Sequence, residues 1–102
     1  NYIDMSSVAP DAIIASAVAK WDPHVNWIID QWWHAKSTGA AFDAPKEPKW
    51  FGWKDGGGDL IINSAMADKI PAEAKSAAEQ TAEAIKSGSK EVPLDLSEPK
   101  SD

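Results

Sequence analysis

Apolar residues recur with a different rhythm in each part of this chain. Ala12-Ile13-Ile14-Ala15-Ser16-Ala17-Val18-Ala19 is a nearly unbroken apolar run of strand length. It reads as a parallel strand buried on both faces, although its alanines also allow a helix. Lys20-Trp21-Asp22-Pro23 ends the run, with Asp22 expected as the N-cap and Pro23 as the first helical residue. From there Val25, Ile28, Ile29, Trp32 and Lys36 fall at helical spacing, predicting an amphipathic helix closed by Gly39 in a left-handed conformation. Residues 40–49, with Pro45 and Pro48 and no period, read as a surface loop.

The second half opens on the aromatic cluster Trp50-Phe51-Gly52-Trp53, then Lys54-Asp55 and three glycines that allow a turn or a close backbone approach. Leu60-Ile61-Ile62-Asn63 predicts a short second strand. Ile70-Pro71 opens a further helix, with Ala74, Ala77, Ala78, Thr81 and Ile85 as a narrow packing stripe and Gly88 as its cap. Ser89 to Asp102, with Pro93 and Pro99, reads as an extended, partly disordered tail.

Composition changes this picture in two ways. The 102 residues are 43% hydrophobic, but alanine and six tryptophans supply much of that, and leucine occurs only at 60, 94 and 96. An independent core built from them is thin, so the chain reads as part of something larger. A net charge of −6 with no arginine argues against nucleic acid, whose phosphates and guanines are bound by Arg and Lys clusters. The absence of cysteine decides nothing about compartment, and no stretch approaches the length of a membrane span. A chain that opens on Asn1 without an initiator Met is expected to be an internal or C-terminal piece of a precursor.

Chemistry-bearing motifs are few. His24 and His34 lie ten residues apart, too far for one helix to aim both at a metal, and no HExxH pattern accompanies them. Asp55 and Asp59 lack the spacing of a calcium loop, and no nucleophile motif is present, so neither a metal, a cofactor nor catalysis is expected. An enzyme fragment using Asp55 and Asp59 as paired carboxylates is a third functional reading, disfavoured by the absence of a recognised catalytic motif. The tryptophans are more informative. Trp27 projects from the polar side of its helix and is expected to pack under a loop or against missing protein. Trp21 and Trp53 each sit at an element boundary beside a Lys and an Asp, where an indole face can stack on a flat ligand and the charges can hold its polar edge. The candidate ligand-binding residues are therefore Lys20, Trp21, Asp22, Trp53 and Lys54.

The order of these pieces resembles the C-terminal third of the basic membrane protein family, the substrate-binding lipoproteins of bacterial ABC transporters that include purine-nucleoside binders. Asp4-Met5-Ser6-Ser7-Val8-Ala9-Pro10-Asp11-Ala12 resembles that family's D-M-S-x-x-A-P-x-A lead-in, and Ser16 to His24 its S-x-V-W-x-W-G-P-Y. Trp50 to Gly56 stands where relatives have W-G-G-M-K-D-G, and Ile70-Pro71-Ala72-Glu73 where many have V-P-E-E. The resemblance implies an α/β chain. It would be the C-terminal portion of a type I periplasmic-binding-protein fold, with residues 1–92 supplying the last hinge crossings and terminal helix and 93–102 an extended tail. It further implies a periplasmic or extracytoplasmic receptor, lipid-anchored at the N-terminus of the precursor. Its partners would be a purine-like small molecule, a membrane ABC permease and the N-terminal remainder of the same protein.

Departures from the family pattern bear on the ligand. Ala19 stands where nucleoside-binding relatives often carry a ribose-binding Lys, Asp22 replaces a Gly, and Gly57-Gly58 replaces a commonly apolar pair. Lys20, one residue on, points to the opposite strand face unless the backbone has turned. A free purine or another flat polar metabolite fits these changes better than an ordinary nucleoside. The alternative of another class is a small Trp-rich carbohydrate-binding or protein-interaction module that uses Trp27, Trp33 and Trp53 as a platform.

Overall fold

A computed structural model describes residues 3–93, 95 and 97. The chain is a small mixed α/β structure with two strands, β1 (Ala15–Ala19) and β2 (Gly58–Ile62), and two helices, α1 (Asp22–Thr38) and α2 (Ala72–Lys86). Two 3-10 segments, Trp53–Asp55 and Ser64–Lys69, flank β2. Most of the tail expected for residues 93–102 lies outside the described residues. Among those described, no helix is long and apolar enough to cross a membrane.

The sheet corrects the expected parallel pairing. β1 and β2 run antiparallel, with Ala15 opposite Ile62 and Ala19 opposite Gly58. The apolar run of β1 reflects alanine content rather than two covered faces, because only Ser16 along the strand is buried. The strand also starts at Ala15, since residues 9–13 are turned by bonds from the Ala12 and Ile13 N–H groups to the Ala9 carbonyl.

α1 begins one residue earlier than expected. Trp21 is the N-cap, without a side-chain capping bond, so Asp22 and Pro23 occupy the first turn. There the Asp22 charge complements the helix N-terminus and Pro23 forgoes an N–H that has no partner. Gly39, at φ 72°, closes the helix as its spacing predicted.

The face of α1 that the chain covers is not the predicted stripe. Val25, Ile28, Ile29 and Trp32 are between 44% and 53% exposed, whereas His24 and Trp27 are half-buried. α2 is likewise rotated. Ala82 is buried and Ala78, Ile85 and Lys86 are half-buried, while Ala74, Ala77 and Thr81 face outward. Alanines carry too little apolar area to orient a helix, and Lys86 turns α2 toward Asp59, which its ammonium contacts at 2.6 Å.

Much surface stays uncovered. The accessible area is 8205 Å², against about 5,600 Å² for a compact monomer of this mass. The radius of gyration, 18.3 Å, exceeds the roughly 13 Å of a compact chain of this length.

Candidate functional site

The antiparallel sheet brings the two sequence motifs to one corner. The Lys20 N–H donates to the Gly57 carbonyl at 3.0 Å, which extends the pairing of Ala19 with Gly58 by one step. Lys20-Trp21-Asp22-Pro23 thereby lies beside the glycine turn, where a Cβ on Gly56 would sit 3.5 Å from the Pro23 ring.

The turn itself is built by short-range bonds. The Asp55 carboxylate accepts from the Gly52 N–H at 3.1 Å, while the Asp55 and Gly57 N–H groups both donate to the Gly52 carbonyl. Gly56 takes the left-handed φ of 79° that closes the 3-10 turn. Gly57 and Gly58 are needed for closeness instead. A Cβ on Gly57 would run into the Phe51 carbonyl, and one on Gly58 into the Trp53 indole. Trp53 is therefore half-buried with one edge against bare backbone.

Asp59 ties this corner together. It stands 3.2 Å from the Lys20 ammonium and 2.6 Å from that of Lys86, which also contacts Glu83 at 3.1 Å. It also accepts from the Leu60 N–H at 2.8 Å. The Lys86 hydrogen bond foremost, then the Leu60 N–H and Lys20, pull its pKa from 3.8 down to about 2, against partial burial that favours the neutral acid. A carboxyl with a depressed folded pKa contributes stability that is full above its unfolded pKa and is lost as pH falls through the folded one. Stability is therefore expected to decline as pH falls from about 4 to about 2. Asp59→Asn should lower stability at neutral pH and flatten that decline, as acid titration of helicity measures.

The sequence-predicted residues take unequal parts. Lys20 spends its ammonium on Asp59, and Asp22 sits in the first turn of α1. Trp21 is 58% exposed, with its ring 5.5 Å from that of His24. Trp53 and Lys54 instead line a half-open cavity of about 510 Å³ that also takes in Ile85, Lys90, Glu91 and Val92. Trp53 and Lys54 are therefore the two predicted residues that share a cavity.

Sequence reasoning missed two features. Phe51 is the hub of an aromatic cluster, 4.5 Å from the His24 ring and 6.3 Å from Trp27, with the Lys49 ammonium within 6 Å of the Phe51 and Trp27 rings. His24 and Trp27, three residues apart on one helix face, were the available signal. The second is Asn63, whose amide donates to the carbonyls of Pro10 at 2.8 Å and Ile13 at 2.6 Å while its oxygen accepts from the Ala65 N–H. An Asn just before Ser-Ala was a readable cap signal, but the partners lie some fifty residues away.

No protein-family model matches the chain, and no curated protein matches it.

Proposed function

We propose that this chain is the C-terminal part of an extracytoplasmic solute-binding protein, not an enzyme, that delivers a small purine-like ligand to an ABC permease. The observation that carries this reading is the meeting of two motifs: the Lys20-Trp21-Asp22 junction and the Trp53-Lys54 turn lie at one end of the same two-stranded sheet. The uncovered stripe of α1 and the excess accessible area also support it, because a larger receptor would bury them against its remaining lobes. On this reading the chain contributes the last hinge crossings of a type I periplasmic-binding-protein fold, anchored to the membrane elsewhere in its precursor.

Thermal-shift and calorimetric screening against nucleosides, nucleobases and sugars tests the ligand class. A nucleobase or nucleoside is expected to raise the melting temperature. If only an unrelated solute does so, the purine assignment fails. In the same assay Trp21→Ala is expected to weaken binding about tenfold to hundredfold, the loss that follows removal of a ring stacked on a base. Trp27→Ala is expected to lower stability, because Trp27 rests on Phe51. If instead Trp21→Ala binds like the parent and Trp27→Ala does not, the junction is not the site.

One observation favours an interaction module instead. Trp33 and Trp50 are 61% and 68% exposed, and Trp33 stands 6.1 Å from Trp32 on α1. Trp27 and Trp53, the other members of the expected platform, are half-buried. A cooperative monomer of these residues that binds polysaccharide would favour the module.

A further inference from the structure

The cavity beside Trp53 has a charge arrangement that narrows the ligand. Its apolar surfaces are the Trp53 indole, Ile85 of α2 and Val92, and its volume of about 510 Å³ lies within the roughly 300–1,000 Å³ usual for small-molecule sites. Two lysines, Lys54 and Lys90, and one glutamate, Glu91, complete the lining. Among the described residues Lys54, Lys90 and Glu91 make no salt bridge, a property Lys54 and Lys90 share with Lys36, Lys49 and Lys69, while Lys20, Lys46, Lys75 and Lys86 are paired. In a chain with net charge −6, two lysines without carboxylate partners thus line one largely apolar cavity.

The segment carrying Lys90 is held in place. Its N–H donates to the Ala84 carbonyl at 2.9 Å, and the Ser89 hydroxyl donates to the same carbonyl at 3.1 Å. Gly88, at φ 77°, turns the chain back over the end of α2, so Lys90 to Val92 return to the Trp53 side.

We propose that this cavity binds a flat heteroaromatic monoanion, its ring against Trp53, Ile85 and Val92 and its anionic group between Lys54 and Lys90. Glu91 accepts from a ring N–H. Two positive charges and one negative select a single negative charge on the ligand, because a neutral ring leaves an excess cation and a dianion meets the Glu91 carboxylate. The inference rests on the solute-receptor reading, sharpens the ligand from purine-like to anionic, and sets its ring on Trp53 rather than on Trp21, so under it the loss expected of Trp21→Ala is small.

The test uses two ring-matched pairs, orotate against uracil and urate against hypoxanthine, titrated by calorimetry and tryptophan fluorescence at neutral pH. The anionic member of each pair is expected to bind at least tenfold more tightly. Lys54→Gln and Lys90→Gln are each expected to weaken its binding about tenfold, the worth of one charge-assisted contact, and to leave the neutral member unchanged. Both side chains are exposed, so circular dichroism is expected to match the parent. Equal binding of the charged and neutral members overturns the anionic assignment while leaving a solute receptor in place. So does a Lys54→Gln, Lys90→Gln double variant that binds orotate and urate like the parent. No binding of any ring compound, here or in the wider screen, overturns both readings.

Discussion

Gly57→Ala is expected to destabilise the corner by about 3 kcal/mol, the upper part of the range for overpacking a site that cannot yield. The added methyl would meet the Phe51 carbonyl oxygen, with the carbonyl carbon at 2.7 Å and the Phe51 Cβ at 3.0 Å. Backbone cannot step aside as a rotamer can. Moving Phe51 would also disturb the rings of His24 and Trp27, and moving Gly57 would break its bonds to Gly52 and Lys20. For a domain of this size the loss corresponds to a fall in melting temperature on the order of 15 °C. Gly52→Ala is the control, since a Cβ there meets only the Asp55 carboxylate at an ordinary 3.7 Å. Urea denaturation of the two variants compares them directly, and equal stabilities would mean that the turn is looser than its geometry requires.

The second large effect is expected at Asn63, which is only 3% exposed. Asn63→Ala leaves the Pro10 and Ile13 carbonyls and the Ala65 N–H without their side-chain partner, at a cost of about 3 kcal/mol. Asn63→Asp discriminates further. A carboxylate still accepts from Ala65 but turns negative charge toward two carbonyl oxygens, so its folded pKa rises and the acid form is favoured. The penalty is therefore full at neutral pH and shrinks as pH falls through that raised pKa, where the protonated acid can donate to one carbonyl. Denaturation of Asn63→Asp at neutral and mildly acid pH measures this. A stability gap to the parent that does not narrow in acid would remove the amide's donor role.

Local chemistry was readable in the sequence wherever a few neighbouring residues decide it. Pro23 and Gly39 bound α1, Gly56 closes a tight turn, and Pro71 and Gly88 frame α2. What stayed hidden depends on partners far along the chain. The antiparallel register joins residues about forty positions apart, and β1 offers too many alanines to show which face is covered. The stripe of α1 was legible as a pattern, but its burial was not, because among the described residues Phe51 takes up the other face. At the candidate site, Trp53 and Lys54 were found from the company of an indole with charges at an element boundary. Lys90, Glu91 and Val92 carried no such mark, since only the turn at Gly88 returns them to Trp53.

The contact of His24 and Trp27 with Phe51 also works as a fulcrum. From Trp27 to Thr38 the helix runs about 16 Å, at 1.5 Å per residue. A tilt of 10° about Phe51 therefore swings the far end by about 3 Å. Ile28, Ile29, Trp32 and Trp33 all lie beyond that contact and move with the far end of the helix. Phe51→Leu, a change of a few atoms beside the glycine turn, therefore acts on a lever whose long arm is the apolar face of α1.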